Sequence, residues 1–88
     1  MAVTDMALLE EIYAFCLPRA KERAAEAHGR LDGIGLRHAE ATIEMLDHLR
    51  GDAHADPTRA DEVMDLLRLY ALKDRAHPEY KPEWHILR

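Results

Sequence analysis

The chain ends in a segment that a helix cannot accommodate, His77-Pro78-Glu79-Tyr80-Lys81-Pro82-Glu83-Trp84-His85-Ile86-Leu87-Arg88. Pro78 and Pro82 lack the backbone N–H that a helix interior needs, and each biases the preceding residue toward extended geometry. The same segment carries the single Trp and one of the three Tyr residues. An extended arm with large aromatic side chains must bury them, either on its own domain or on a partner. The elements upstream of the arm all read as helices, with no strand alternation. The expected fold is therefore all-α: a three-helix bundle, or a helical hairpin plus a helix, over residues 1–76, with an aromatic arm over 77–88.

Helical periodicity places the three elements at about 5–28, 36–50 and 57–76. Thr4 and Asp5 are good caps for the first. Its apolar stripe, Leu9, Ile12/Tyr13, Cys16, Ala20, Ala24 and Ala27, keeps phase across Pro18, so one helix kinked at Pro18 is expected rather than two. Gly29 reads as its stop and Asp32-Gly33-Ile34-Gly35 as a loop. The loop glycines do not make a nucleotide cradle, because no strand precedes them and the glycine spacing is wrong. The second helix presents Leu36, Ala39, Ile43, Leu46 and Leu49, widened by Met45, and Gly51 reads as its end. Asp56-Pro57 starts the third, with Asp as cap and Pro at the first helical position. Its face of Ala60, Val63, Met64, Leu67, Tyr70 and Ala71 is widened by Leu66, Leu69 and Leu72. A stripe that broad implies contact with two neighbours and a central position.

Length and charge narrow the function. At 88 residues the chain makes one small domain, which buries only about 60–65% of its unfolded surface. Seventeen acidic against twelve basic residues give a formal charge of −5, a poor balance for phosphate binding, and no basic stripe is present. Cys16 is alone, so neither an internal disulfide nor a cysteine-based zinc site is expected, and its apolar neighbours predict an inert thiol. The start of the chain carries Asp5, Glu10 and Glu11 rather than the basic residues of a signal peptide. No apolar run reaches the roughly 20 residues of a membrane span. A cytoplasmic protein is expected.

Six histidines call for a metal test. Glu44 and His48 share a helix face, and His54 is close enough in sequence to complete a set. The Glu-x-x-His pairs of di-iron bundles and the His-Glu-x-x-His of zinc proteases are missing, however. His28, His38 and His48, ten apart, do not share a face. Catalysis has less support: Ser does not occur, the one Cys reads as buried, and pairs such as Glu40/Glu44 lie on a solvated face.

The helix leading through Leu67–Leu72 into His77-Pro78-Glu79-Tyr80-Lys81-Pro82-Glu83-Trp84 resembles a family of small uncharacterised proteins of actinobacteria and their phages. These end in a Leu-rich helix and a His-Pro-x-Tyr-x-x-x-Trp tail. The resemblance covers the last third of the chain; the family's Pro-Gly-Pro-Trp element after the first helix is replaced here by Asp32-Gly33-Ile34-Gly35. It implies an actinobacterial or phage source and no particular activity. The expected role is non-enzymatic and cofactor-free: binding another protein, a host protein if the source is a phage, or a second copy as a homodimer. Leu67, Tyr70, Tyr80 and Trp84 are the expected contact residues. A metal-binding protein using Glu44, His48 and His54 is the alternative, and a nucleic-acid-associated regulator the second alternative.

Overall fold

The computed structural model describes residues 5–85. Three helices, α1 (Met6–Gly29), α2 (Gly33–Ala55) and α3 (Ala60–Leu72), are joined by short connections, with 3-10 turns at Pro57–Arg59 and Pro82–Trp84. No strand occurs among the described residues, so the chain is an all-α bundle. Asp5 opens α1 by accepting the N–H groups of Ala7 (2.9 Å) and Leu8 (3.2 Å), two of the orphan donors of a helix start. The helix then passes through Pro18 without a break. Phe15 and Cys16 are buried on one side of the proline and Ala20 on the other. That shared burial keeps both halves in one helix despite the hydrogen bond Pro18 cannot make.

The first connection differs from the sequence expectation. Asp32-Gly33-Ile34-Gly35 is not a loop but the cap and first turn of α2. The Asp32 carboxylate accepts the Gly35 N–H at 2.9 Å, and its backbone N–H donates to the Ala27 carbonyl at 2.8 Å while Leu31 N–H donates to His28. That pair of bonds is a Schellman closure of α1. One residue thus ends α1 and begins α2, which outweighs the roughly 1 kcal/mol that each glycine costs in a helix. A Cβ at Gly35 would run into the Asp32 carboxylate, so the glycine makes room for the cap. The left-handed position of the closure is Leu31 (φ 57°), not a glycine.

α2 also runs past its predicted end at Gly51 to Ala55. Ala53 is fully buried, and Arg50 and His54, on either side of Gly51, both reach Glu10 of α1. These long-range contacts override the local signal. At the other end of the chain, α3 stops at Leu72 rather than 76. It unwinds through bonds from Lys73, Asp74 and Arg75 to carbonyls three residues back. Its first turn, Pro57–Arg59, is 3-10, started by the Asp56 carboxylate on the N–H and hydroxyl of Thr58.

Cross-contacts fix the helix directions. Glu10 meets Arg50 and His54, and Tyr13 donates to Asp47, so α1 and α2 are antiparallel. Cys16 reaches the Leu67 carbonyl and Arg23 pairs with Asp74, so α3 runs parallel to α1. The arm then reverses along α1. Glu79 pairs with Arg19 (3.5 Å), Trp84 packs on Phe15, and Lys81 pairs with Glu11. Glu11, Phe15 and Arg19 recur every four residues on one flank of α1, a ladder matched to the returning chain. The central helix is therefore α1, which touches α2, α3 and the arm, and not α3. Nor is the arm extended throughout: it returns through turns and a 3-10 turn whose bonds include Tyr80 N–H to His77 and Trp84 N–H to Lys81.

Candidate functional site

The helix faces that meet in the bundle are used up by the core. Leu9, Ile12, Leu46, Val63 and Leu67 are its largest fully buried side chains, and Phe15, Cys16, Met64, Ala71 and Trp84 join the same cluster. Two of the four expected contact residues therefore sit inside the chain's own core. Leu67 is fully buried, and Trp84 is 2% exposed. The Trp84 ring lies 5.1 Å from Phe15 and 5.6 Å edge-on to Tyr80. Tyr80 and His77 also meet Phe15, at 6.0 and 5.6 Å. Edge-to-face contacts of this kind add to the area that each ring buries. Phe15 is the hub of the group, and the sequence stripe did not include it. Its signal was the three-residue step from Ile12.

Tyr70, the fourth expected residue, lies at the margin of the core and leads to the outside of α3. Leu66 and Leu69, expected to widen the buried face, instead point away from it, at 37% and 52% exposure. The reason is angular. At 100° per residue, Ala60, Val63, Met64, Leu67 and Ala71 cluster on one side of the helix. Glu62, Leu66, Leu69 and Lys73 cluster on the opposite side. Leu66, Leu69, Tyr70 and Lys73 line an open hollow of about 260 Å³, and the Lys73 ammonium stands 5.1 Å over the Tyr70 ring. The spacing i, i+3, i+4, i+7 is that of the four-residue hole into which a partner helix inserts a side chain.

The other exposed apolar residues lie elsewhere on the bundle. Leu31 and Ile34 stand at the turn between α1 and α2 (92% and 86% exposed), and Met45, expected to face inward, is 44% exposed on α2. A second hollow, of about 150 Å³ between α1 and α2, is bordered by Arg23, His38, Thr42 and Lys73 around Ala20 and Ala39. The alanine-rich half of α1 leaves that space.

Glu44, His48 and His54 are not brought together. Glu44 is exposed, His48 lies 3.6 Å from Asp52, and His54 Nε2 lies 2.5 Å from Glu10. Arg50 shares that Glu10 carboxylate at 2.9 Å, and Arg59 shares Asp52 at 3.5 Å. A guanidinium thus stands where a cation would have to enter each pair. Among the described residues no group of three or more His, Cys, Asp or Glu side chains converges. The hydrogen bond from His54, then that from Arg50, holds the Glu10 carboxyl below its ordinary range. Burial pushes the Cys16 thiol up to about 12, which keeps it protonated and unreactive. Among the described residues no helix is long and apolar enough to cross a membrane. The chain matches no protein-family model, and no curated protein or solved structure matches it significantly.

Proposed function

We propose that this chain is a non-enzymatic protein-interaction module whose contact surface is the outward face of α3. The observation that carries the reading is the hollow lined by Leu66, Leu69, Tyr70 and Lys73. It lies on a helix whose opposite face is fully used in the core. A leucine pair left in water beside a half-buried tyrosine and a lysine has the make-up of an interface centre with a charged rim. The aromatic arm supports the surface indirectly, by completing the core from the α1 side. If the resemblance of the tail to actinobacterial and phage proteins holds, the partner is a protein of that host or phage.

The charge pattern favours protein over nucleic acid. Arg19, Arg23, Arg50, Arg59 and Lys81 all stand against carboxylates of the same chain, so their charges are already answered locally rather than gathered for phosphates. Site-specific photocrosslinking tests the surface. A photoreactive residue placed at Leu69 should give discrete protein adducts in extract of the source cells, and one placed at exposed Glu40 of α2 should not. Equal labelling from both positions, or none from Leu69, refutes the assignment.

A further inference from the structure

The outward stripe of α3 reads Glu62-x-x-x-Leu66-x-x-Leu69-x-x-x-Lys73. Read in either direction it has the same spacing, with the sign of the terminal charge inverted. That is the property a helix needs to pair with itself in antiparallel fashion about a twofold axis. We propose that the partner seated on α3 is a second copy of this chain, paired α3 to α3 with the axis between Leu66 and Leu69. The inference rests on the reading of α3 as the contact surface and specifies its occupant.

In this register Leu66 faces Leu69 of the other copy, and Glu62 faces its Lys73. Each pair occurs twice by symmetry. The hole lined by Leu66, Leu69, Tyr70 and Lys73 is centred between Leu69 and Tyr70, so the residue that enters it is the second copy's Leu66. Each chain supplies one knob and one hole. The parallel pairing of the same stripe sets Glu62 on Glu62 and Lys73 on Lys73, so charge selects the antiparallel form. The Glu62 carboxylate also stands 3.8 Å from Arg59. That contact is long and solvated, so it leaves the carboxylate available for a closer cation. Lys73, on its perch over Tyr70, is already at the rim of the hole. The charge of −5 on each copy opposes association, and α3 is only about 20 Å long. The interface falls below the roughly 1,200 Å² of the standard-size class, so the dimer is a weak one, formed at concentrations below about 1 mM.

Sedimentation equilibrium across protein concentration, with charge-swapped variants, tests the pairing. The wild-type chain should show a reversible monomer–dimer equilibrium. E62K alone and K73E alone each replace two attractive pairs by two repulsive ones and should weaken the dimer about tenfold or more. An equimolar mixture of the two variants should dimerise with wild-type strength, because both cross-pairs are then of opposite sign, and the double swap E62K/K73E should restore self-association. Both positions are exposed, and unchanged far-UV circular dichroism confirms that each variant is folded. A wild-type chain that stays monomeric up to about 1 mM overturns the proposal, while the photocrosslinking result at Leu69 separately decides whether α3 binds some other protein. A dimer indifferent to both single swaps overturns this register.

Discussion

Truncating Trp84 to alanine should remove the closure of the core on the α1 side. The ring is 2% exposed and lies within 5.1 Å of Phe15 and 5.6 Å of Tyr80, so the substitution leaves a cavity between α1 and the arm. Losses of this type run to about 3–5 kcal/mol. One term opposes them: the indole N–H is buried and finds no acceptor among the described residues, and removing an unsatisfied donor recovers about 1 kcal/mol or more. A net loss of about 3 kcal/mol follows. For a chain of this size total stability is only about 4–13 kcal/mol, and each kcal/mol moves the midpoint by about 4–8 °C. Tm should therefore fall by about 12–24 °C. Urea and thermal melts followed by circular dichroism at 222 nm measure this without the lost fluorophore. Trp84→Phe is the informative control, because it keeps most of the ring and deletes the orphan donor, so it should cost less than half as much as Trp84→Ala. A Trp84→Ala loss below about 1 kcal/mol would refute the argument that the arm is part of the core.

Leu31 occupies the left-handed position of the α1 closure at φ 57° with its side chain in solvent. Leu31→Gly relieves about 1–2 kcal/mol of backbone strain against the added freedom of glycine when unfolded, and should stabilise the protein by about 0.5–1 kcal/mol in urea titration. Cys16, buried and raised to about 12, should resist alkylation by iodoacetamide in the native protein and react at once in denaturant. The Glu10 carboxyl is lowered by His54 first and Arg50 second. Its contribution is therefore complete above the ordinary carboxylate range and is lost as pH falls through its folded value. Glu10→Gln should narrow its stability gap to wild type as urea midpoints are followed from about pH 6 to about pH 3; a gap that stays constant would show that this carboxylate is not linked to folding.

Signals local to a few residues were the legible part of this fold. Asp5 and Asp56 announce helix starts by residue type, and the apolar phase across Pro18 reveals that α1 is one helix. The Asp32–Gly35 stretch misleads because two glycines suggest a loop, while the capping bond to the Gly35 N–H becomes visible only once the chain has turned. Gly51 misleads for another reason: what carries α2 past it is the burial of Ala53 and the reach of Arg50 and His54 to Glu10, forty or more residues away. Hydrophobicity likewise gives the width of a stripe and not its direction. The broad leucine content of α3 implied two buried neighbours, yet Leu66 and Leu69 face water. Tyr70 alone of the expected contact residues lines the hollow, because Leu67 and Trp84 are interior and Tyr80 lies in the aromatic group around Phe15.

The two faces of α3 tie association to folding. Its inner face, Val63, Met64, Leu67 and Ala71, is buried by the bundle, so Leu66 and Leu69 are organised as a stripe only when the bundle is folded. A second copy that docks there binds the native state and not the unfolded chain, and the native state gains RT ln(1 + [L]/Kd). Stability should then depend on protein concentration: the ligand is the chain itself, so free monomer rises only as the square root of total protein, and each tenfold increase above the dissociation constant adds about 0.7 kcal/mol per chain, or about 3–6 °C in Tm. E62K should flatten that dependence and lower the dilute-limit Tm only slightly, because Glu62 is exposed and the isolated chain loses no more than its place in the first turn of α3 and a 3.8 Å contact with Arg59. Calorimetry over a hundredfold range of concentration reads both quantities at once. A wild-type Tm that is level across the range would mean that the outward leucines of α3 do not pair with a second copy.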